Sequence, residues 1–175
     1  RWELLLVTLL VFAYPSIYEG TSYGTNLVIN GNAETGDLTG WNISDAGPNF
    51  TAFNLVGAGI PISSNGGYAF DRFNVEGSRV PRSISQIIDI SDISTDVSKG
   101  IVKAVLSGEI YRNYSTAIAK IVLDQLDASS LVIMTLQIQN DTENAWQTKP
   151  LTIDKLNVST KFLKITLYTE VDNDG

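Results

Sequence analysis

The chain has 175 residues, a formal net charge of −7 and a pI near 4.5, and 43% of it is hydrophobic against 18% charged. That is enough apolar material for one well-formed core and too little chain for two comfortable ones. Twelve scattered Lys and Arg exclude a basic phosphate-binding face, so nucleic acid is not an expected partner, and the absence of Cys and His excludes disulfides, thiolate or imidazole catalysis and His- or Cys-ligated zinc.

The first fourteen residues contain the run Leu4 to Phe12, apolar on every face whatever period is applied. It is too short for a membrane-spanning helix, which needs about 20 apolar residues, so no stable membrane span is expected. Its length also suits a signal-peptide core of about 7–15 residues, but the only basic residue ahead of it is Arg1 and no small-x-small site precedes Ser16, which argues for a place in the mature protein. Two structures remain open for it: a helix packed in a bundle, or a strand buried on both faces. Trp2, Val7, Thr8, Val11, Phe12 and Tyr14 tilt the choice toward a strand, which would reach about 46 Å. Pro15 ends the element, and residues 15–25 carry linker chemistry.

From Asn26 onward the chain reads as one β-sandwich domain over residues 26–175, with short strands separated by turn residues. Strands are expected at 26–30, 41–45, 50–56, 67–73, 83–90, 100–112, 115–125, 130–139, 150–153 and 161–170. Alternation is clearest in Ser85 to Ile90, Ala117 to Leu123 and Phe162 to Tyr168. Between Ser91 and Lys99 one helical turn fits, with Ser94 as its cap and Gly100 as its stop. The fold class is therefore all-β, a jelly-roll or β-sandwich with an extended hydrophobic N-terminal segment.

The stretch Asn26 to Trp41 (NLVINGNAETGDLTGW) resembles the opening of the galactose-binding-like jelly rolls found among carbohydrate-binding modules. An Asn-Gly turn follows a first strand, Gly36 and Gly40 permit unusual backbone shapes, and Trp41 anchors the next strand; Ala33 departs from the aromatic usual there. Weaker resemblance continues through Ser85 to Ile90, Ala104 to Gly108, Ala119 to Asp127, Trp146 and residues 162–168. The resemblance implies a structural Ca²⁺ held by Glu34 and the Gly36 carbonyl, with Asp172 or Asp174 as second contributor. It also implies glycans as partners.

Such modules finish with a strand beside the first one, after an acidic turn resembling Val171 to Gly175, where this chain stops. A sandwich lacking that strand would expose an open groove and unpaired edges. An apolar N-terminal strand, with Trp2, Leu4, Leu6, Leu10 and Phe12 as its assembly residues, would fill the groove of a neighbouring identical subunit and repeat into a homopolymer.

Sequons occur at Asn42, Asn49, Asn113, Asn140 and Asn157, which argues for N-linked glycans and a secreted, cell-surface location. Tyr68, Phe70, Phe73, Tyr111, Tyr114 and Trp146 are the aromatics available to a sugar-binding face. Glu109, Asp124 and Asp127 are the carboxylates available for glycoside hydrolysis, and nothing in their spacing pairs two across a cleft, so no enzyme is expected. The leading expectation is a structural subunit of an extracellular, pilus-like filament; the alternative is a carbohydrate-binding module of a larger secreted protein.

Overall fold

The computed structural model describes residues 3–13, 23–43, 50–58, 60–72, 81–112 and 117–171, with 3–13 described through their backbone. Ten strands follow in chain order: β1 (Glu3–Ala13), β2 (Asn42–Ile43), β3 (Phe50–Asn54), β4 (Tyr68–Arg72), β5 (Arg82–Asp89), β6 (Val102–Arg112), β7 (Ala117–Leu126), β8 (Val132–Gln139), β9 (Trp146–Ile153) and β10 (Phe162–Val171). They form two antiparallel five-stranded sheets, ordered β3-β4-β1-β6-β9 and β2-β5-β10-β7-β8. The chain is an all-β sandwich of the jelly-roll type.

Alternation builds the core between the sheets. On β10, Leu163, Ile165 and Leu167 are buried while Lys164, Thr166 and Tyr168 face outward, and their register partners Ile88, Leu123 and Ile121 are buried with them. From the other sheet Ala104, Leu106 and Ile110 of β6 meet this layer. Each such Ile or Leu contributes about 1.5–3 kcal/mol by leaving water. Trp41 and Phe70 pack edge to face at 5.3 Å, and the Trp41 indole Nε1 donates to Asn30 O at 3.3 Å.

Three local expectations need correction. Residues 26–30 form no strand: Asn30 and Ala33 take positive φ, and the backbone is satisfied by a side chain instead. The buried Gln86 amide accepts from Ile29 N at 2.9 Å and donates to Ile29 O at 3.1 Å and Gly40 O at 2.8 Å, the contacts a neighbouring strand would otherwise make. Ala33, fully buried with φ 59, lies where an aromatic was expected, and its small side chain fits a tight turn. The helical turn at 91–99 is a 3-10 turn (Ser91–Ile93) running into α1 (Ser94–Lys99); Gly100 stops it at φ 67, but Ile93 holds the N-cap position and Ser94 is not its cap. β9 begins at Trp146 and runs through Pro150, which an edge strand tolerates because one side of its backbone needs no partner.

The largest difference concerns the N-terminal segment. It is β1, the middle strand of the first sheet, paired to β6 along its whole length from Glu3↔Arg112 to Ala13↔Val102 and to β4 at Leu4↔Asp71 and Leu5↔Phe70. The expected open groove is thus a slot between β4 and β6 that the chain's own β1 fills, so β1 takes part in the first sheet.

Candidate functional site

The slot is one strand wide. With strands spaced about 4.8 Å apart, β4 and β6 stand about 9.6 Å from each other across β1. Among the described residues β1 is the strand that unites the β3-β4 hairpin with the β6-β9 pair within the sheet. Withdrawing it opens two edges at once, each a row of unpaired N–H and C=O groups.

The neighbours of β1 explain its composition. On β6 the even residues, Ala104, Leu106 and Ile110, face the core, and the odd ones face away from it. That outer face is itself covered beside the first half of β1: Asp71 is fully buried, Glu109 is 4% exposed and Tyr111 8%. Leu4 is in register with Asp71 and Tyr111, and Leu6 with Glu109. The first half of β1 is thus set between buried neighbours on both faces, which accounts for the apolar run Leu4 to Val7, whereas Thr8, Leu10 and Phe12 are in register with the half-buried Ser107, Val105 and Lys103.

The covering segment is the β3-β4 connection, residues 55–67, well beyond the usual hairpin length of about 2–5. Leu55 N donates to Gly67 O at 2.9 Å at its root. From there it reaches Glu109 on β6, whose carboxylate accepts from Ser64 N at 3.2 Å and from Ser64 Oγ, and also from Thr148 Oγ1 at 3.1 Å. At the far edge the Trp146 indole Nε1 donates to Pro61 O at 2.7 Å. Sequence reasoning missed Pro61, Ser63 and Ser64, because a Gly, Pro and Ser segment carries no periodic signal; the length of the connection was the available clue.

The other expected site residues are dispersed. Among the assembly residues, Leu10 and Phe12 are in register with Val105 and Lys103, while Trp2 lies outside the described residues. Glu34 does not gather a metal site: its Oε1 accepts from Tyr68 N at 2.8 Å. Gly36 N donates to Ala33 O, Asp172 and Asp174 lie outside the described residues, and no cluster of three metal-ligating side chains occurs among the described ones. Asp37, next to Gly36, holds its carboxyl below the ordinary value through hydrogen bonds from Thr35 and Thr39.

Of the sequons, Asn42 is exposed on β2 and Asn157 half-buried, while Asn49 and Asn113 lie outside the described residues. Asn140 is a correction. It is fully buried and its Nδ2 donates to Ile110 O at 2.8 Å and Ala145 O at 3.3 Å, leaving no room for a glycan. Among the aromatics Phe70 is core, Tyr68 is half-buried, Tyr111 and the half-buried Trp146 meet at 5.5 Å, and Phe73 and Tyr114 are outside the described residues. Glu109 and Asp124 stand on different sheets, and Asp127 shapes the β7-β8 turn by accepting from Ser129 N and Leu131 N. No helix among the described residues is long and apolar enough to cross a membrane.

No family model and no curated protein matches the sequence. Among solved structures, the enzymatically active domain of tailspike protein 4 from bacteriophage CBA120 superposes with a TM-score of 0.48 at 13% identity, over 84% of this chain but only 19% of that one. TmCBM61, solved with β-1,4-galactotriose, superposes with a TM-score of 0.40 at 16% identity, over 84% of this chain and 88% of that one. Neither likeness assigns this chain a ligand or an activity.

Proposed function

We propose that this chain is a non-catalytic structural subunit that assembles with copies of itself outside the cell, by passing β1 of one copy into the slot of the next. The observation that carries the reading is the place of β1: a strand that is apolar but for Glu3 and Thr8 stands in the middle of a sheet instead of at its edge. The nine residues 14–22 between β1 and Tyr23 span at most about 30 Å, enough to hand the strand to an adjoining copy. The same ladder to β6 and β4 then forms between chains, so exchange costs few contacts, and a head-to-tail contact that does not close on itself grows into a filament. A glycan on Asn42 would sit on the two-residue edge strand β2 and block sideways pairing there, consistent with an extracellular polymer.

Light scattering and electron microscopy of chain refolded over a range of concentrations test this. The full chain is expected to form concentration-dependent linear polymers, and chain lacking residues 1–13 to form none. Polymers that grow equally well without β1, or a full chain monomeric at every concentration, would overturn the proposal.

A second reading, glycan binding, is favoured by one observation: Tyr111 and Trp146 pack together beside the Glu109 carboxylate on the outer face of the first sheet, the mix of rings and polar groups a sugar site needs. It is the weaker reading, because Tyr111 is buried and the Trp146 N–H already serves Pro61. Calorimetric titration of monomer with an oligosaccharide panel that includes β-1,4-galactotriose decides it, and saturable binding lost in Trp146→Ala would raise it above the first.

A further inference from the structure

The segment over the slot suggests how the slot is controlled. Since β1 lies between β4 and β6, a segment rooted at β4 that bonds to β6 and β9 has to cross β1. Register places the crossing. Glu109 is opposite Leu6, and Tyr111, opposite Leu4, is in turn paired with Trp146. Residues 60–66 therefore close over the first half of β1 on the side away from the core.

The way they are held differs from the way the sheet is held. Ile60 packs against the core at the start of the segment and Ser63 is buried, but Pro61, Ile62, Ser64 and Asn65 are exposed, so beyond Ile60 the segment buries little apolar surface. Its described attachments to β6 and β9 are hydrogen bonds: two from Ser64 to the Glu109 carboxylate and one from the Trp146 indole to Pro61 O. Segments with few buried apolar contacts open at far lower free energy than the sheet beneath them. Glu109 is the strongest of these attachments, because an ionised carboxylate makes hydrogen bonds roughly twice as strong as a neutral acceptor does. It also has a reason to keep the segment closed, since opening removes donors from a carboxylate that is otherwise buried.

We infer that residues 60–66 form a releasable cover on the β1 slot, with Glu109 as the positioning residue that holds it shut, so that a strand enters or leaves the slot when the cover swings away. The inference rests on the reading of β1 as an exchangeable strand and adds its regulation. It also gives the slot a requirement at its covered end: the occupant must be apolar at the Leu4 and Leu6 positions, in register with Tyr111 and Glu109 under the cover, as well as at the Leu5 position opposite the core residue Ile110.

The test is amide hydrogen exchange, read by mass spectrometry on the full chain, in wild type, Glu109→Gln and Trp146→Phe. Glu109→Gln is expected to speed exchange in residues 3–8 about tenfold while amides of β10 keep their protection. Trp146→Phe, which keeps the ring and loses the N–H, is expected to move the same amides by a smaller factor, and it carries the test alone if Glu109→Gln does not fold. Unchanged exchange in residues 3–8, or equal acceleration in β10, would overturn the cover, the second because Glu109 would then merely stabilise the whole fold. Faster exchange in residues 3–8 of a chain that never trades strands between copies would uphold the cover and reject the assembly reading.

Discussion

The two sheets are centred on the first and the last of the described strands, and they are centred differently. In the second sheet β10 lies between β5 and β7, and its start is fastened. The buried Gln125 Oε1 accepts from Asn157 N at 2.8 Å and Thr160 Oγ1 at 2.9 Å, and Lys161 N donates to Leu126 O at 2.8 Å. In the first sheet β1 lies between β4 and β6, joined to the rest through residues 14–22. The outward positions of β10, Lys164, Thr166 and Tyr168, are half-buried, whereas beside the first half of β1 the outer neighbours Asp71, Glu109 and Tyr111 are buried as well as the core-facing ones. On the proposed reading β10 is integral to its sheet and β1 is a separable insert.

Breaking each centre in turn gives the largest effect. A proline inside a central strand removes a ladder N–H and distorts the pairing. Ile165→Pro is expected to abolish cooperative folding. Val7→Pro is expected to leave amides of β5, β7 and β10 protected from hydrogen exchange while those of β4 and β6 open; collapse of both sheets in Val7→Pro would erase the distinction.

A smaller effect comes from loosening the start of β10. Gln125→Leu leaves Asn157 N–H and the Thr160 hydroxyl without the acceptor they share, at a cost of about 1–3 kcal/mol in urea denaturation, with no change in polymer formation. A shift in assembly without a shift in stability would mean that β10 is not integral.

The smallest effect is that of pH, which acts at the seams and leaves both centres alike. Hydrogen bonding from Lys149 and the charge of its ammonium lower the Asp141 pKa; bonds from Ser91 do the same for Asp89, and bonds from Thr35 and Thr39 for Asp37. A carboxylate whose folded pKa lies below its ordinary value of 3.8 contributes fully above that value and loses its contribution as pH falls through the folded one. Stability is therefore expected to be flat near neutrality with respect to these groups and to decline below about pH 4. All three are solvent-exposed, so the decline is shallow, and Lys149→Met is expected to flatten part of it in urea titrations at pH 3 and pH 6.

How much of this was legible in the sequence depended on where the physics was local. Nine of the ten strands expected between turn residues have a counterpart, β5, β7 and β10 announcing themselves by clear period-two alternation, and Gly100 announces its helix stop. Residues 26–30 looked like a strand because their apolar pattern is right; the Gln86 side chain, 57 residues from Ile29, took the partner's role, and no local pattern shows that. The run Leu4 to Phe12 could be read as a strand buried on both faces but not chosen over a helix, because the absence of alternation is set by the residues around it. Glu109 looked like one acidic residue among many, and its partner Ser64 lies 45 residues away.

Because the chain lacks cysteine, the register of β1 offers the most direct measurement. Thr8 and Ser107 are partners in the β1-β6 ladder, at a separation a disulfide can bridge. Chains carrying only Thr8→Cys and chains carrying only Ser107→Cys are refolded together and oxidised, then separated without reductant. If β1 passes between copies, the mixture yields cross-linked dimers that neither variant forms alone. A mixture that yields none, while the Thr8→Cys, Ser107→Cys double variant cross-links only within itself, would show that β1 belongs to its own chain for good.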